Sequence, residues 1–416
     1  FMITSAIPRN ARVLAEEILS DTPVLTVSGA RQVGKSTLVS QLLQNRSYRL
    51  LNLDNAATLQ AAQTDPDGFV RQFPEGVVAI DEIQRVPALL RAIKAALDED
   101  RRPGRFIVTG SSNLMNLKGA EESLAGRAET LRLRGFSRGE RKGITEDFAA
   151  NAWNPHPQLP ASDFERIDYL RMITESSFPE IAEATPRRRD RWVQAYVERV
   201  LTKDATDLYG IQYPDRLRVL LGKIASQGAS EFVAAHIGRE LNIPERSVPG
   251  YLDALKNVFL IDVLPAWGTN QTRRVISKPK VFLQDPATAA SLVGVDAASL
   301  EMQISSSFTG GLLESFVATE LLKQQEWSAI PFKLFHFRDS TGKEVDLVME
   351  SRNREVVGVE VKAAVSLQSK DFSGLRHLQK LAGERFRCGI LLYAGKESLP
   401  MGPGLWAMPI SALWSV

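Results

Sequence analysis

Residues 29–36, Gly29-Ala-Arg-Gln-Val-Gly34-Lys35-Ser36, fit the spacing G-x-x-x-x-G-K-[ST]. The segment before them, PVLTVSG (23–29), reads as a strand, and Ser36–Asn45 reads as a helix. A glycine-rich turn between strand and helix can bend tightly enough for its N–H groups to wrap phosphate oxygens, and the helix N-terminus adds its dipole. The chemistry implied is nucleotide binding. Gly29, Gln32, Val33, Gly34 and Thr37 would line the phosphates, Lys35 would bridge the β- and γ-phosphates of ATP, and Ser36 would ligate Mg2+.

A second apolar strand, GVVAI (76–80), ends in Asp81 and Glu82. Asp81 then falls beside the metal, and Glu82 is left to polarise the attacking water as a general base. A third, RFIVTG (105–110), runs into Ser111, Ser112 and Asn113. A polar side chain there could sense or orient that water, and Asn113 and Ser111 are both candidates. Arg127, between a short helix and the strand ETLRL (129–133), could be an arginine finger aimed at a neighbouring subunit's γ-phosphate, or a surface or structural arginine.

These groups need a sheet to hold them. Strands at 23–29, 48–53, 76–80, 105–110 and 129–133 alternate with helices or turns at 36–45, 66–72, 87–99 and 123–127. That rhythm predicts a parallel sheet covered on both faces, a nucleotide-binding core over 1–150. The Pro-rich stretch 151–162 opens a linker and helical lid, 151–227, whose remainder reads as almost wholly helical. Residues 228–285 give a helix (232–241), a turn at NIPE, a second helix (246–257) and two strands around a basic turn. Helix, turn, helix, hairpin is the order of a winged helix. From 286 to 416 the pattern returns to α/β: the helix GLLESFVATELLKQ, strands FKLFHFR, EVDLVME and VVGVEVKA, a helix near 371–382, and GILLYA as a last strand.

With 416 residues, 51 Lys and Arg against 49 Asp and Glu, and 44% hydrophobic residues, the composition excludes a disordered or fibrous chain. A single cysteine, Cys388, excludes an intrachain disulfide and any multi-cysteine metal site. No run approaches the roughly 20 apolar residues of a membrane helix. The opening FMITSAIPRN lacks a signal-peptide core, so a cytoplasmic location without a membrane partner is expected. Charge is uneven: Arg216–Lys280 holds ten basic residues against five acidic, which suits a polyanion.

The strings GARQVGKST, AIDEIQRVP, TGSSN and LAGRAETLRLRGFSRGE resemble the prokaryotic AAA-superfamily ATPases that carry a nuclease-like C-terminal domain. The likeness continues through SFPEIAEA, AYVERVLTKDATDL and EVDLVME…VVGVEVK, and so runs over nearly the whole chain. It implies ATP hydrolysis with Mg2+, and a homo-oligomer, in the first reading a ring, in which Arg127 acts in trans. The basic run Arg187–Arg191 could supply a second arginine sensor, or be a solvated charge cluster.

Asp346, then Glu360-x-Lys362, with Glu314 in the preceding helix, resembles the PD-(D/E)xK nuclease core. Asp346 and Glu360 would hold Mg2+ through oxygen, and Lys362, two residues beyond Glu360 on the same strand face, would orient a water. Cleavage and a non-cleaving scaffold both stay open at this point. In the winged helix, Arg246 and Lys256 on the second helix and Arg273, Arg274, Lys278 and Lys280 on the wing are the expected DNA contacts. They spell no base code, so backbone or shape recognition is expected. The reading that follows is a DNA-remodelling ATPase, with branched DNA in repair or recombination as an analogy. The alternative is a non-motor, ATP-dependent switch whose C-terminal domain is an inactive contact module.

Overall fold

The computed structural model describes residues 7–112, 124–269 and 278–416; Asn113, Arg273 and Arg274 lie outside these. The chain divides into two compact units, one up to residue 136 together with 257–259, the other made of 137–256 and 260–416.

Among the described residues, the first unit is built on five parallel strands: β1 (Val24–Ser28), β2 (Tyr48–Asn52), β3 (Val77–Asp81), β4 (Phe106–Gly110) and β5 (Ala128–Arg132), in the order β2-β3-β4-β1-β5. All five expected strands are present. Strands β1, β3 and β4 are buried at every position, which is why they read as unbroken apolar runs rather than alternating ones. Helices α1 (Arg12–Asp21), α2 (Lys35–Leu43), α3 (Ala56–Thr64), α4 (Pro66–Arg71) and α5 (Ala88–Glu99) join or flank them. In α5, Leu89, Leu90, Ile93, Ala96 and Leu97 form the buried stripe and pack on a core with Val78, Ile80, Phe106 and Val108. Truncating Leu97 to Ala there costs about 2–5 kcal/mol. The helix α3 was not expected. It buries only Ala62, so it carries no stripe, and it is started by Asn55, whose side chain accepts from the N–H groups of Ala57 and Thr58.

The second unit opens with helices, among them α6 (Arg166–Thr174), α7 (Pro186–Arg199) and α8 (Pro214–Gln227), as the lid segment predicts. Then follow β6 (Ser230–Glu231), α9 (Ala234–Glu240), α10 (Val248–Asn257), β7 (Ile261–Leu264) and β8 (Lys280–Leu283), the strands pairing antiparallel in the order β6-β8-β7. The helix α10 starts two residues later than the sequence suggests. Glu245–Ser247 is a single 3-10 turn after Pro244, and Arg246 sits in that turn.

Beyond α11 (Ser307–Gln324) lies a six-stranded sheet: β9 (Phe332–Arg338), β10 (Glu344–Ser351), β11 (Val356–Lys362), β12 (Phe386–Tyr393), β13 (Leu399–Gly402) and β14 (Leu405–Pro409), in the order β13-β14-β12-β11-β10-β9. Strands β9, β10 and β11 form an antiparallel meander; β11, β12 and β14 run parallel. Helix α12 (Ser373–Ala382) packs on it through Leu375 and Leu378. GILLYA is therefore not the last strand. The two beyond it were hidden by Pro400, Gly402, Pro403 and Gly404, which break their apolar run. Cys388 is buried on β12, and burial pushes its thiol up to about 12, so it packs and does not react. No helix among the described residues is long and apolar enough to cross a membrane.

Candidate functional site

The parallel order brings the C-terminal ends of β1, β4 and β3 to one edge of the sheet, so the 29–36 loop, Thr109–Ser112 and Asp81–Glu82 converge there. Glycine is required at two loop positions. A Cβ on Gly29 would lie 2.1 Å from the carbonyl oxygen of Leu133, and Gly34 has φ +97°. Gln32 also adopts a positive φ, +63°, a strained conformation for a side chain with a Cβ. Arg9 braces the loop from behind by donating to the carbonyl of Val33 at 2.9 Å. Helix α2 begins at Lys35, so its first N–H groups face the turn. The Lys35 side chain is 5% exposed, and Nζ donates to the carbonyls of Gly29 and Ala30 at 2.9 Å each. Thr37 is exposed one residue beyond Ser36.

Ser36 Oγ donates to Asp81 Oδ2 at 2.9 Å, and Thr109 Oγ1 donates to the other carboxylate oxygen, Oδ1. A hydroxyl and a carboxylate brought together at a strand end are hard oxygen donors, the set that suits Mg2+. Glu82 is in the left-handed region, φ +61°, which turns its side chain away from the strand path of Asp81. The Glu82 N–H donates to Thr109 Oγ1 at 3.2 Å. Its carboxylate oxygen Oε2 accepts from Ser111 Oγ at 2.8 Å and from Gln84 Nε2, and Gln84 Nε2 also donates to Ser111 Oγ at 3.0 Å. A ring of three side chains thus orients one carboxylate.

Of the two candidates after β4, Ser111 joins this ring, and Asn113 lies outside the described residues. Gln84 was not foreseen. It is buried, within a 3-10 turn (Ile83–Arg85) that follows Glu82 directly.

Arg127 sits at the opposite edge of the sheet. Its carbonyl accepts from the Val24 N–H at the start of β1, and its guanidinium pairs with Asp98 at 2.9 Å. The loop begins at the far end of β1, about 16 Å away along five residues of strand. Arg127 therefore cannot serve the loop of its own chain.

The second acidic site is centred differently from the expectation. Glu314, Asp346 and Glu360 do come together, Asp346 at an irregularity between Val345 and Val348 where β10 shifts register against β9. Asp346 Oδ2 accepts from the Val361 N–H at 2.9 Å. The cation among them, however, is Lys280. It was expected on the DNA-facing wing, but it is the first residue of β8, is 7% exposed, and donates from Nζ to Glu314 Oε1 at 2.5 Å, with Asp346 Oδ1 at 4.0 Å. Burial first, then the Asp346 charge, holds the Glu360 carboxyl well above the usual carboxylate range. Burial pushes Glu314 upward as well, and the charge and hydrogen bond of Lys280 pull it back. Lys362 is half-buried, and its charge draws Glu360 downward. Among the described residues, no three His, Cys, Asp or Glu side chains are arranged to hold a metal ion. Of the other expected DNA contacts, Arg246, Lys256 and Lys278 are exposed, and Arg273 and Arg274 lie outside the described residues.

Residues 21–142 match the family described as AAA domain, and residues 166–299 and 309–413 match two domains of unknown function, DUF8612 and DUF4143. The chain is 25% identical over 409 residues to uncharacterized proteins of Mycobacterium bovis (Mb2031c) and Mycobacterium tuberculosis (Rv2008c), covering 96% of this chain and 83% of each relative. Among solved structures, it is similar to the Walker-type ATPase PABY2304 of Pyrococcus abyssi, at 16% identity and a TM-score of 0.41, over 68% of this chain and 94% of that one. The AAA-domain match spans β1 to β5 and the 29–36 loop between them.

Proposed function

We propose that this protein binds and hydrolyses ATP with Mg2+ and couples hydrolysis to DNA held by residues 228–285. The observation that carries the first half is the Glu82 carboxylate fixed by Ser111 and Gln84 beside the Ser36–Asp81 pair. Main-chain N–H groups of the loop bind the phosphates, and Lys35, released from the carbonyls it now meets, follows the β- and γ-phosphates. Ser36 and Asp81 would hold Mg2+, which supplies charge neutralisation across the phosphates when bound. Glu82 takes a proton from the attacking water, and Ser111 and Gln84 keep its carboxylate aimed. Arg127, too far from its own loop, acts on the site of a neighbouring copy in a homo-oligomer.

For DNA, the support is the helix–strand–helix–helix–hairpin order of residues 214–283, the order of a winged helix, with Arg246, Lys256 and Lys278 exposed on it. Contacts from these residues would be to the backbone and would weaken with salt. The removal of Lys280 from the DNA-facing set favours a second reading, a switch ATPase that engages no DNA. Steady-state ATPase without DNA and with single strands, duplex and a four-way junction separates the two, with Glu82→Gln as the inactive control. Stimulation by one DNA form supports coupling. A flat response with Glu82-dependent turnover leaves the switch.

A further inference from the structure

We propose that Lys280 takes the place of a divalent cation among Glu314, Asp346 and Glu360, so that this cluster is a charge clamp fastening β8 to the C-terminal sheet and not a metal-dependent cleavage centre. Three buried or half-buried carboxyls converge from three elements, α11, β10 and β11, and an ammonium from a fourth, β8, reaches them. A divalent ion needs carboxylate oxygens at about 2.0–2.6 Å. The Lys280 ammonium already fills that position against Glu314, and a second cation beside it in a dry site would meet strong repulsion. The charges of Glu314 and Asp346 outweigh burial and keep Lys280 protonated, so it cannot be displaced by simple deprotonation near neutral pH.

The clamp is not alone. Just beyond β7, the strand paired with β8, Trp267 Nε1 donates to Glu350 Oε2 at 2.8 Å, and Ala266 bridges His336 on β9. His336 Nε2 lies 2.9 Å from the Lys278 carbonyl, two residues before Lys280. Burial, then the Lys280 charge, lowers His336 to about 4, so at neutral pH its ring is neutral and this contact is a donation from Nε2–H. Residues 265–267 and 278–280 are therefore tied to β9 and β10 or to α11.

The test is Mn2+ binding to nucleotide-free full-length protein, followed by electron paramagnetic resonance, beside thermal unfolding read by tryptophan fluorescence. All six tryptophans (153, 192, 267, 327, 406 and 414) lie in the second unit, so their emission reads the clamp and not the nucleotide core. In the wild-type protein, Asp346→Asn is expected to leave the amount of bound Mn2+ unchanged. Lys280→Met should lower the unfolding midpoint and gain a Mn2+ site roughly tenfold or more tighter than any the wild type has in this unit, and adding Asp346→Asn should abolish it. Wild-type Mn2+ binding that disappears with Asp346→Asn overturns the proposal, and so does a folded Lys280→Met that gains no site. Should Lys280→Met not fold, the wild-type comparison alone decides. None of these readings depends on ATP hydrolysis.

Discussion

Gln84 donates a hydrogen bond to the Ser111 hydroxyl at 3.0 Å, and the two side chains meet on the same carboxylate oxygen of Glu82. Glu82 and Gln84 are only two residues apart, but Ser111 comes from the end of a different strand, so the carboxylate is gripped from two sides. The left-handed backbone at Glu82 makes this possible by breaking the strand alternation right after Asp81. Asp81 is thereby left to Ser36 and Thr109, and the two neighbouring carboxylates take separate tasks.

Loss of the base should therefore be severe and loss of its supports graded. Glu82→Gln is expected to lower kcat for ATP hydrolysis by roughly 10²–10⁴-fold while nucleotide binding survives. Gln84→Ala leaves the carboxylate with one of its two holders, and kcat should fall by about tenfold with KM little changed, because Gln84 acts on orientation and not on the ground-state grip. Steady-state kinetics with a fluorescent-nucleotide binding control decide this. A Gln84→Ala enzyme with wild-type kcat removes Gln84 from the mechanism.

A different signature belongs to the Ser36–Asp81 pair. If its oxygens hold Mg2+, Asp81→Asn should weaken the binding of MgATP more than that of ATP measured in EDTA. Ser36→Ala should act in the same direction. Equal weakening with and without the metal would mean that Asp81 only holds the loop through Ser36. Calorimetric titration under the two conditions reads the difference.

The nucleotide core was legible because its physics is local. A strand buried on both faces is an apolar run, a loop with Gly29 against a carbonyl and Gly34 at positive φ must keep its glycines, and both leave a mark in sequence. Gln84 left none: one glutamine in a short turn has no period, and its meaning comes from Ser111, 27 residues on at the end of the neighbouring strand. Lys280 was misplaced for a related reason. In TNQTRRVISKPK it looks like one more basic residue of an exposed turn, but β8 starts at Lys280, and the strand carries that side chain inward. Only the arrival of Glu314 and Asp346 shows why a lysine is tolerated there. The helix α3 and the strands β13 and β14 escaped because a cap and a pair of Gly-Pro breaks, not hydrophobic periodicity, shape them.

Arg127 offers a test that needs two variants in one tube. Its position at the start of β5 puts it beyond the reach of its own loop. Arg127→Ala should lower kcat by roughly 10³-fold or more if it stabilises the transferring phosphate. Glu82→Gln should be inactive for a different reason. In a trans arrangement, mixing the two restores activity, since some interfaces then pair an intact Glu82 with an intact Arg127. A mixture no more active than its components would leave Arg127 as the structural partner of Asp98.

The second unit also contains a buried acid whose titration should be visible in its stability. Glu146 is fully buried near Ser137, Glu140 and Glu320. Burial is the main cause raising its pKa to about 7; the Ser137 hydrogen bond works in the opposite direction, and the charges of Glu320 and Glu140 add to the rise. In the unfolded chain the same group titrates near 4.5. The folded value is the higher one, so the folded state holds the proton more tightly, and this contribution is complete below pH 4.5 and lost as pH rises through 7. The loss amounts to at most about 3 kcal/mol across that window. Urea unfolding followed by tryptophan emission, which reports this unit alone, should show a midpoint that falls between pH 5 and 8. Glu146→Gln keeps the shape, removes the titration, and should flatten that slope. An unchanged slope in the variant would remove Glu146 as its source.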